Sequence, residues 1–236
     1  MIERTERLLI RILPWPTAVA FLVTLWAVFA WVPTEKHLGI VQRIFYYHVP
    51  SAWVGFIGIF IACISSMVFL YNRRSEWDRA AHAGVEVGVL FATIVLITGP
   101  FWARASWGTW WTWDSRLTTT LILWLIFVAY LLMRQFTQGS ETGARFAAVL
   151  AIVGTLDIPL IILSTKLWRT IHPAVLRTPE GGSGLQDPSM IATLLICVGA
   201  FTMLFGWLWA LRLRTLRLAE RIDMLRDELE TGVHTQ

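Results

Sequence analysis

A dense run of tryptophan and a few histidines are the residues in this chain best suited to chemistry. Five of the fourteen tryptophans (Trp102, Trp107, Trp110, Trp111 and Trp113) fall within twelve residues, four of them inside WGTWWTWD at 107–114. Indole offers a wide flat face and one N–H donor, so such a cluster suits a large planar ligand with polar edges. If 107–114 is helical, Trp107, Trp110, Trp111 and Asp114 share one face by i, i+3, i+4, i+7 spacing, an aromatic platform ending in a carboxylate. An interfacial belt of anchoring tryptophans accounts for Trp15, Trp31, Trp53, Trp168, Trp207 and Trp209. It does not account for the cluster, because a belt spreads its members over many helix ends.

Of the five histidines, His48 in YYHVP and His172 in WRTIHP flank long apolar blocks. Imidazole is a common axial ligand of haem iron, and a pair of them saturates the metal without leaving an open position. His37 is a further candidate in a loop, whereas His82 and His234 are expected to be solvated. Arg104, Arg116, Lys166 and Arg169 lie close in sequence to this set, and a guanidinium fork suits a carboxylate such as a propionate. The plain alternative for each is a membrane-edge cation reaching for water. Two acids sit in or near apolar blocks. Glu86 is expected to be wet, and Asp157, two residues before Pro159, has either a functional role or a local structural bond.

The elements that position these residues are membrane spans. Hydrophobic residues make up 56% of the 236 and charged residues only 15%, with a mean hydropathy of +0.59. Six apolar blocks, at roughly 15–33, 49–71, 83–102, 117–133, 146–165 and 189–211, match the ~20 residues that a spanning helix requires. The short alternating segments of a barrel are not seen. The first block lacks a small-residue cleavage site and reads as a retained helix. The chain is therefore predicted to be an all-α membrane protein, with a six-span domain over 1–211 and an amphipathic tail over 212–236.

Charge orients the spans. Thirteen of the twenty Lys and Arg lie at the N-terminus, in 72–82, at Arg134 and Arg145, and in the tail; the other seven lie on the opposite side. The positive-inside rule puts both termini in the cytoplasm and 34–48, 102–116 and 166–188 outside, with the tryptophan loop between spans 3 and 4. The net charge of +4 thus reflects topology and lipid headgroups; no nucleic-acid module is recognisable. Cys63 and Cys197 form no CxxC pair, so covalent haem attachment to this chain is not expected. GGSGLQDPS at 181–189 lacks the lysine of a nucleotide-binding loop, so any ATP-driven step falls to a partner. In the tail, Leu218, Ile222, Leu225 and Leu229 form one stripe, read as a helix along the cytoplasmic headgroups or as a docking helix.

WGTWWTWDSRLT at 107–118 resembles the WWD motif of haem-handling proteins of cytochrome c maturation, and FYYHVPSAW at 45–53 and IHP at 171–173 look like the two flanking histidine regions. With six spans, the whole chain is similar to the CcmC, or haem exporter protein C, family; the larger relatives CcmF and CcsA share the motif but have more spans and histidines. Around His172 this chain reads LWRTIHP, where many members carry a tryptophan pair and a glutamine. The resemblance implies non-covalent haem b at the periplasmic face of a bacterial inner membrane. His48 and His172 would be its axial ligands, and Trp107, Gly108, Trp110, Trp111, Trp113 and Asp114 its platform. It also implies delivery to the haem chaperone CcmE without bond-making catalysis, in company with the ABC subunits CcmA and CcmB and the small membrane protein CcmD. From the residues alone two other readings stay open: a bis-histidine electron-transfer cytochrome, and a haem-free transporter or scaffold subunit.

Overall fold

The computed structural model describes residues 2–36, 38–137, 140–168, 172, 185 and 187–233. It is an all-α membrane protein in which six helical segments are long and apolar enough to cross a bilayer: Pro14–Trp31, Ile40–Asn72, Ser75–Trp107, Ser115–Phe136, Glu141–Ser164 and Pro188–Glu230. In chain order the helices are α1 (Ile2–Ile12), α2 (Pro14–Trp26), α3 (Phe45–Asn72), α4 (Ser75–Trp107), α5 (Ser115–Phe136), α6 (Glu141–Thr155), α7 (Asp157–Leu167) and α8 (Pro188–Val233). Span five is thus two helices broken at Leu156. The break lies three residues before Pro159, which has no N–H to continue the ladder.

The tightest seam joins α3 to α4. A Cβ added at Gly58 would lie 2.6 Å from the Gly84 carbonyl oxygen, and one at Gly84 would lie 2.8 Å from the Gly58 carbonyl oxygen. Small residues let two backbones approach closely where lipid supplies no hydrophobic drive to associate. Against this pair packs a core in which Ile59 and Val85 meet Leu123, Phe127 and Tyr130 of α5 and Ile158 and Ile161 of α7. A second cluster, with Val28, Phe45, Tyr46, Leu194 and Cys197, holds the first turn of α3 against α8 and the end of the first span.

The pole that carries both termini is tied by ion pairs between helices. Arg134 of α5 grips Asp78 of α4 through two bonds of 3.0 and 2.8 Å. Arg212 of α8 likewise grips Glu86 of α4, and Arg217 reaches the Glu6 carboxylate, which is only 2% exposed. Two expectations are corrected here. His82 is not in a solvated loop, because α4 begins at Ser75; its ring lies half-buried against Tyr130 and 3.6 Å from the Glu86 carboxylate. Glu86 is not simply wet but paired with Arg212. Glu86 is sheltered by a cation on another helix, and the His82 ring by an aromatic ring on another helix. The Asp157 Oδ2 atom is buried and has no hydrogen-bond partner among the described residues, so that atom does not make the local bond that was one of its two readings. α8 runs without a break from span six to Val233, so the stripe of Leu218, Ile222, Leu225 and Leu229 continues the helix of that span.

Candidate functional site

At the opposite pole α4 is the organising element. Its last turns carry Thr98, Gly99, Trp102, Arg104, Ser106 and Trp107, and it ends because Gly108 adopts φ +74°, a left-handed conformation that glycine takes without strain. The Gly108 N–H donates to the Arg104 carbonyl at 3.1 Å, and the Arg104 guanidinium donates back to the Gly108 carbonyl. Arg104 is thereby engaged in closing the helix end.

Residues 108–114 are not helical, which corrects the shared-face expectation. Gly108 turns the chain out of α4, and Asp114 (φ −62°, ψ 148°) starts α5 as its N-cap, accepting from the Arg116 N–H at 3.0 Å. The Asp114 carboxylate therefore caps α5 instead of ending an aromatic stripe. The indoles pack in edge-to-face pairs: Trp102 on Trp107 with centroids 5.6 Å apart, Trp111 on Trp113 at 5.9 Å, and Trp110 on Phe101 at 5.6 Å. Trp113 and Trp110 stay 76% and 53% exposed, which leaves broad aromatic faces free at the loop surface.

Both candidate histidines come to α4. His48, in the first turn of α3, is half-buried; its Nδ1 lies 2.8 Å from Thr98 Oγ1, and a Cβ added at Gly99 would lie 3.4 Å from its Cε1. His172 lies against Trp102 with centroids 6.5 Å apart and near-parallel rings, and edge-on to Trp107 at 6.3 Å. Thr98 and Trp102 are four residues apart, so the two contacts fall on one helix face about 6 Å apart along its axis. Arg116, half-buried on the first turn of α5, lies within electrostatic range of His48. The structure thus gathers His48, His172, Trp107 and Arg116 around α4. It does not bring Trp110 or Trp113 against either histidine. His37, Arg169, Arg177 and His234 fall outside the described residues, and Lys166 lies in the last turn of α7.

Sequence reasoning missed the polar lining of this pole. Trp102 Nε1, Ser106 Oγ, Thr112 Oγ1, Ser115 Oγ, Thr118 Oγ1 and Arg43 Nε are all buried and have no hydrogen-bond partner in the structure. Each such group costs roughly 1–3 kcal/mol unless something meets it. All but Arg43 cluster at the end of α4, in the loop and on the first turn of α5, where they can meet the polar edges of a bound molecule. Among the described residues no three His, Cys, Asp or Glu side chains could hold a bare metal ion. Iron carried in a porphyrin needs only two axial donors from the protein, and imidazoles, indole faces, hydroxyls and a guanidinium together fit that group.

Comparison with known proteins points the same way. The family model described as Heme exporter protein C matches residues 2–227. Proteins of that name from Bradyrhizobium diazoefficiens and Escherichia coli K12 are similar to this chain. The first is 34% identical over 92% of this chain and 82% of its own length. The second is 30% identical over 87% and 84%. A ccmC-like mitochondrial protein of cytochrome c biosynthesis from Arabidopsis thaliana is 32% identical over 84% of this chain and 74% of its own.

Proposed function

The chain belongs to the Heme exporter protein C family, and from that premise we propose that it handles haem for cytochrome c maturation by holding haem b non-covalently at the pole built around α4. The observation that carries this reading is the convergence of His48 and His172 on one face of α4, beside unpartnered buried donors. Haem, when bound, supplies an iron that accepts two axial nitrogens, a flat apolar ring and two propionates. His48 and His172 are its axial ligands. Trp107 and Trp111, with the exposed faces of Trp110 and Trp113, cover the ring. Arg116, backed by the Ser115 and Thr118 hydroxyls, receives a propionate. Arg104, Gly108 and Asp114 hold the loop's two ends in place.

In this reading the site faces the periplasm from a bacterial inner membrane, since the paired and basic pole carries both termini. The solvent-facing Trp110 and Trp113 leave one side of the ring accessible to an acceptor, which we identify with the chaperone CcmE. CcmA, CcmB and CcmD are its partners in the bilayer. Release requires no bond-making by this chain, only an acceptor that binds the haem-free state better than the loaded one.

The test is haem titration of the purified full-length protein in nanodiscs, followed by acid–acetone extraction. We expect stoichiometric binding with fully extractable haem, weakened in Trp107→Ala and Trp111→Ala, and transfer when haem-free CcmE is added. Absence of haem binding would leave the scaffold reading; rapid reduction by a quinol without transfer to CcmE would favour the electron-transfer reading.

A further inference from the structure

We propose that Thr98 is the positioning residue that sets the His48 tautomer, keeping the ring proton on Nδ1 and the Nε2 lone pair free for iron. The proposal rests on His48 being an axial ligand, and its first measurement is made without haem, so the two can fail separately.

A threonine hydroxyl has one proton and two lone pairs. Thr98 Oγ1 lies 2.7 Å from the Ile94 carbonyl oxygen one turn back on α4, and 2.8 Å from His48 Nδ1. With the proton on the back-bond to this carbonyl, the bond that helical threonines make, Oγ1 meets His48 as an acceptor and Nδ1 carries the hydrogen. A neutral imidazole with Nδ1–H has its lone pair on Nε2, the nitrogen that a metal would take. The relay His48 Nδ1–H to Thr98 O–H to the Ile94 carbonyl thus ends on the backbone of a long helix, where nothing titrates.

Two further observations favour a positioning role over an incidental contact. Among the described residues Thr98 is the hydrogen-bond partner of the His48 ring, so it is the group placed to fix which nitrogen is protonated. Gly99, the next residue, lies beside the ring edge: a Cβ there would stand in van der Waals contact, 3.4 Å from Cε1. The hydroxyl and this contact come from the same turn of α4, so ring plane and tautomer are set by one rigid element. Outer-shell partners of this kind orient the ligand and raise its basicity, and losing one typically weakens metal affinity about 10–100-fold.

The experiment compares full-length wild type, Thr98→Val and Thr98→Ser in nanodiscs, the valine keeping the shape without the hydroxyl and the serine keeping the hydroxyl. First, nitrogen-15 shifts of histidine-labelled, haem-free protein report the tautomer, with His48 assigned by its loss in His48→Gln. The wild type and Thr98→Ser should show Nδ1–H, and Thr98→Val should lose that preference. Second, haem affinity should fall about 10–100-fold in Thr98→Val and stay within a few-fold of wild type in Thr98→Ser. An Nε2–H signal for His48 in the wild type overturns the proposal, as does wild-type affinity with an unchanged tautomer in Thr98→Val. Equal loss in the serine and valine variants also overturns it, because packing alone would then explain the effect. If Thr98→Val does not fold, the wild-type tautomer and the serine variant still decide. Retention of the wild-type haem spectrum in His48→Ala would instead sink the axial assignment, whatever the tautomer.

Discussion

Replacing Gly108 by alanine isolates the backbone conformation that ends α4 and opens the tryptophan loop. Gly108 has φ +74°, and a Cβ built there meets no heavy atom within 4 Å. Neighbours therefore add no steric penalty, and the cost is that of an L-residue in the left-handed region, about 1–2 kcal/mol. Asparagine visits this region more readily and should cost less. A change of about 1–2 kcal/mol shifts an equilibrium roughly 5–30-fold between the observed loop and alternatives in which α4 runs on. If the loop covers the haem ring, affinity should fall about 5–30-fold in Gly108→Ala, with Gly108→Asn between it and wild type. Soret titration of the three proteins in nanodiscs measures this directly. Wild-type affinity in Gly108→Ala, or weaker binding by Gly108→Asn than by Gly108→Ala, would refute the reasoning.

Other substitutions probe the remaining elements. Asp114→Ala should destabilise the start of α5 by about 1 kcal/mol while Asp114→Asn leaves both stability and haem binding near wild type, because asparagine also caps; equal loss of haem in both would mean that the carboxylate itself meets the ligand. Gly58→Ala should sharply reduce folded yield in a fluorescence size-exclusion assay, since its methyl meets a backbone oxygen at 2.6 Å, whereas Gly99→Ala, with 3.4 Å to a side-chain atom, should fold normally. Glu86→Gln should lower thermal stability by an amount between the roughly 1 kcal/mol of an exposed pair and the 3–5 kcal/mol of a buried one. Adding Arg212→Met to Glu86→Gln should restore much of that loss, and a further drop would contradict the pairing.

The six spans were legible because twenty apolar residues in a row have few other uses, and the histidines at span ends stood out for the same reason. Span ends were less legible. Glu86 read as wet, yet it is paired with Arg212 on another helix 126 residues away, as Asp78 is with Arg134 over 56 residues. The loop was misread although its punctuation was present: Gly108 is a helix stop and Asp114 a helix start, and these outweigh the spacing of the tryptophans. The Gly84-x-x-x-Gly88 pattern was also available as a sign of close helix packing. Thr98 had no local signature, because a hydroxyl four residues from a carbonyl is ordinary in a membrane helix. Its meaning comes only from a histidine fifty residues away.

The central claim, that haem is held between His48 and His172 beside α4, is tested most directly by low-temperature electron paramagnetic resonance of the ferric, haem-loaded protein. Wild type should give a low-spin bis-imidazole signal, and His48→Ala and His172→Ala should each lose it in favour of a high-spin species or bind no haem at all. The same low-spin signal in both variants would contradict the assignment.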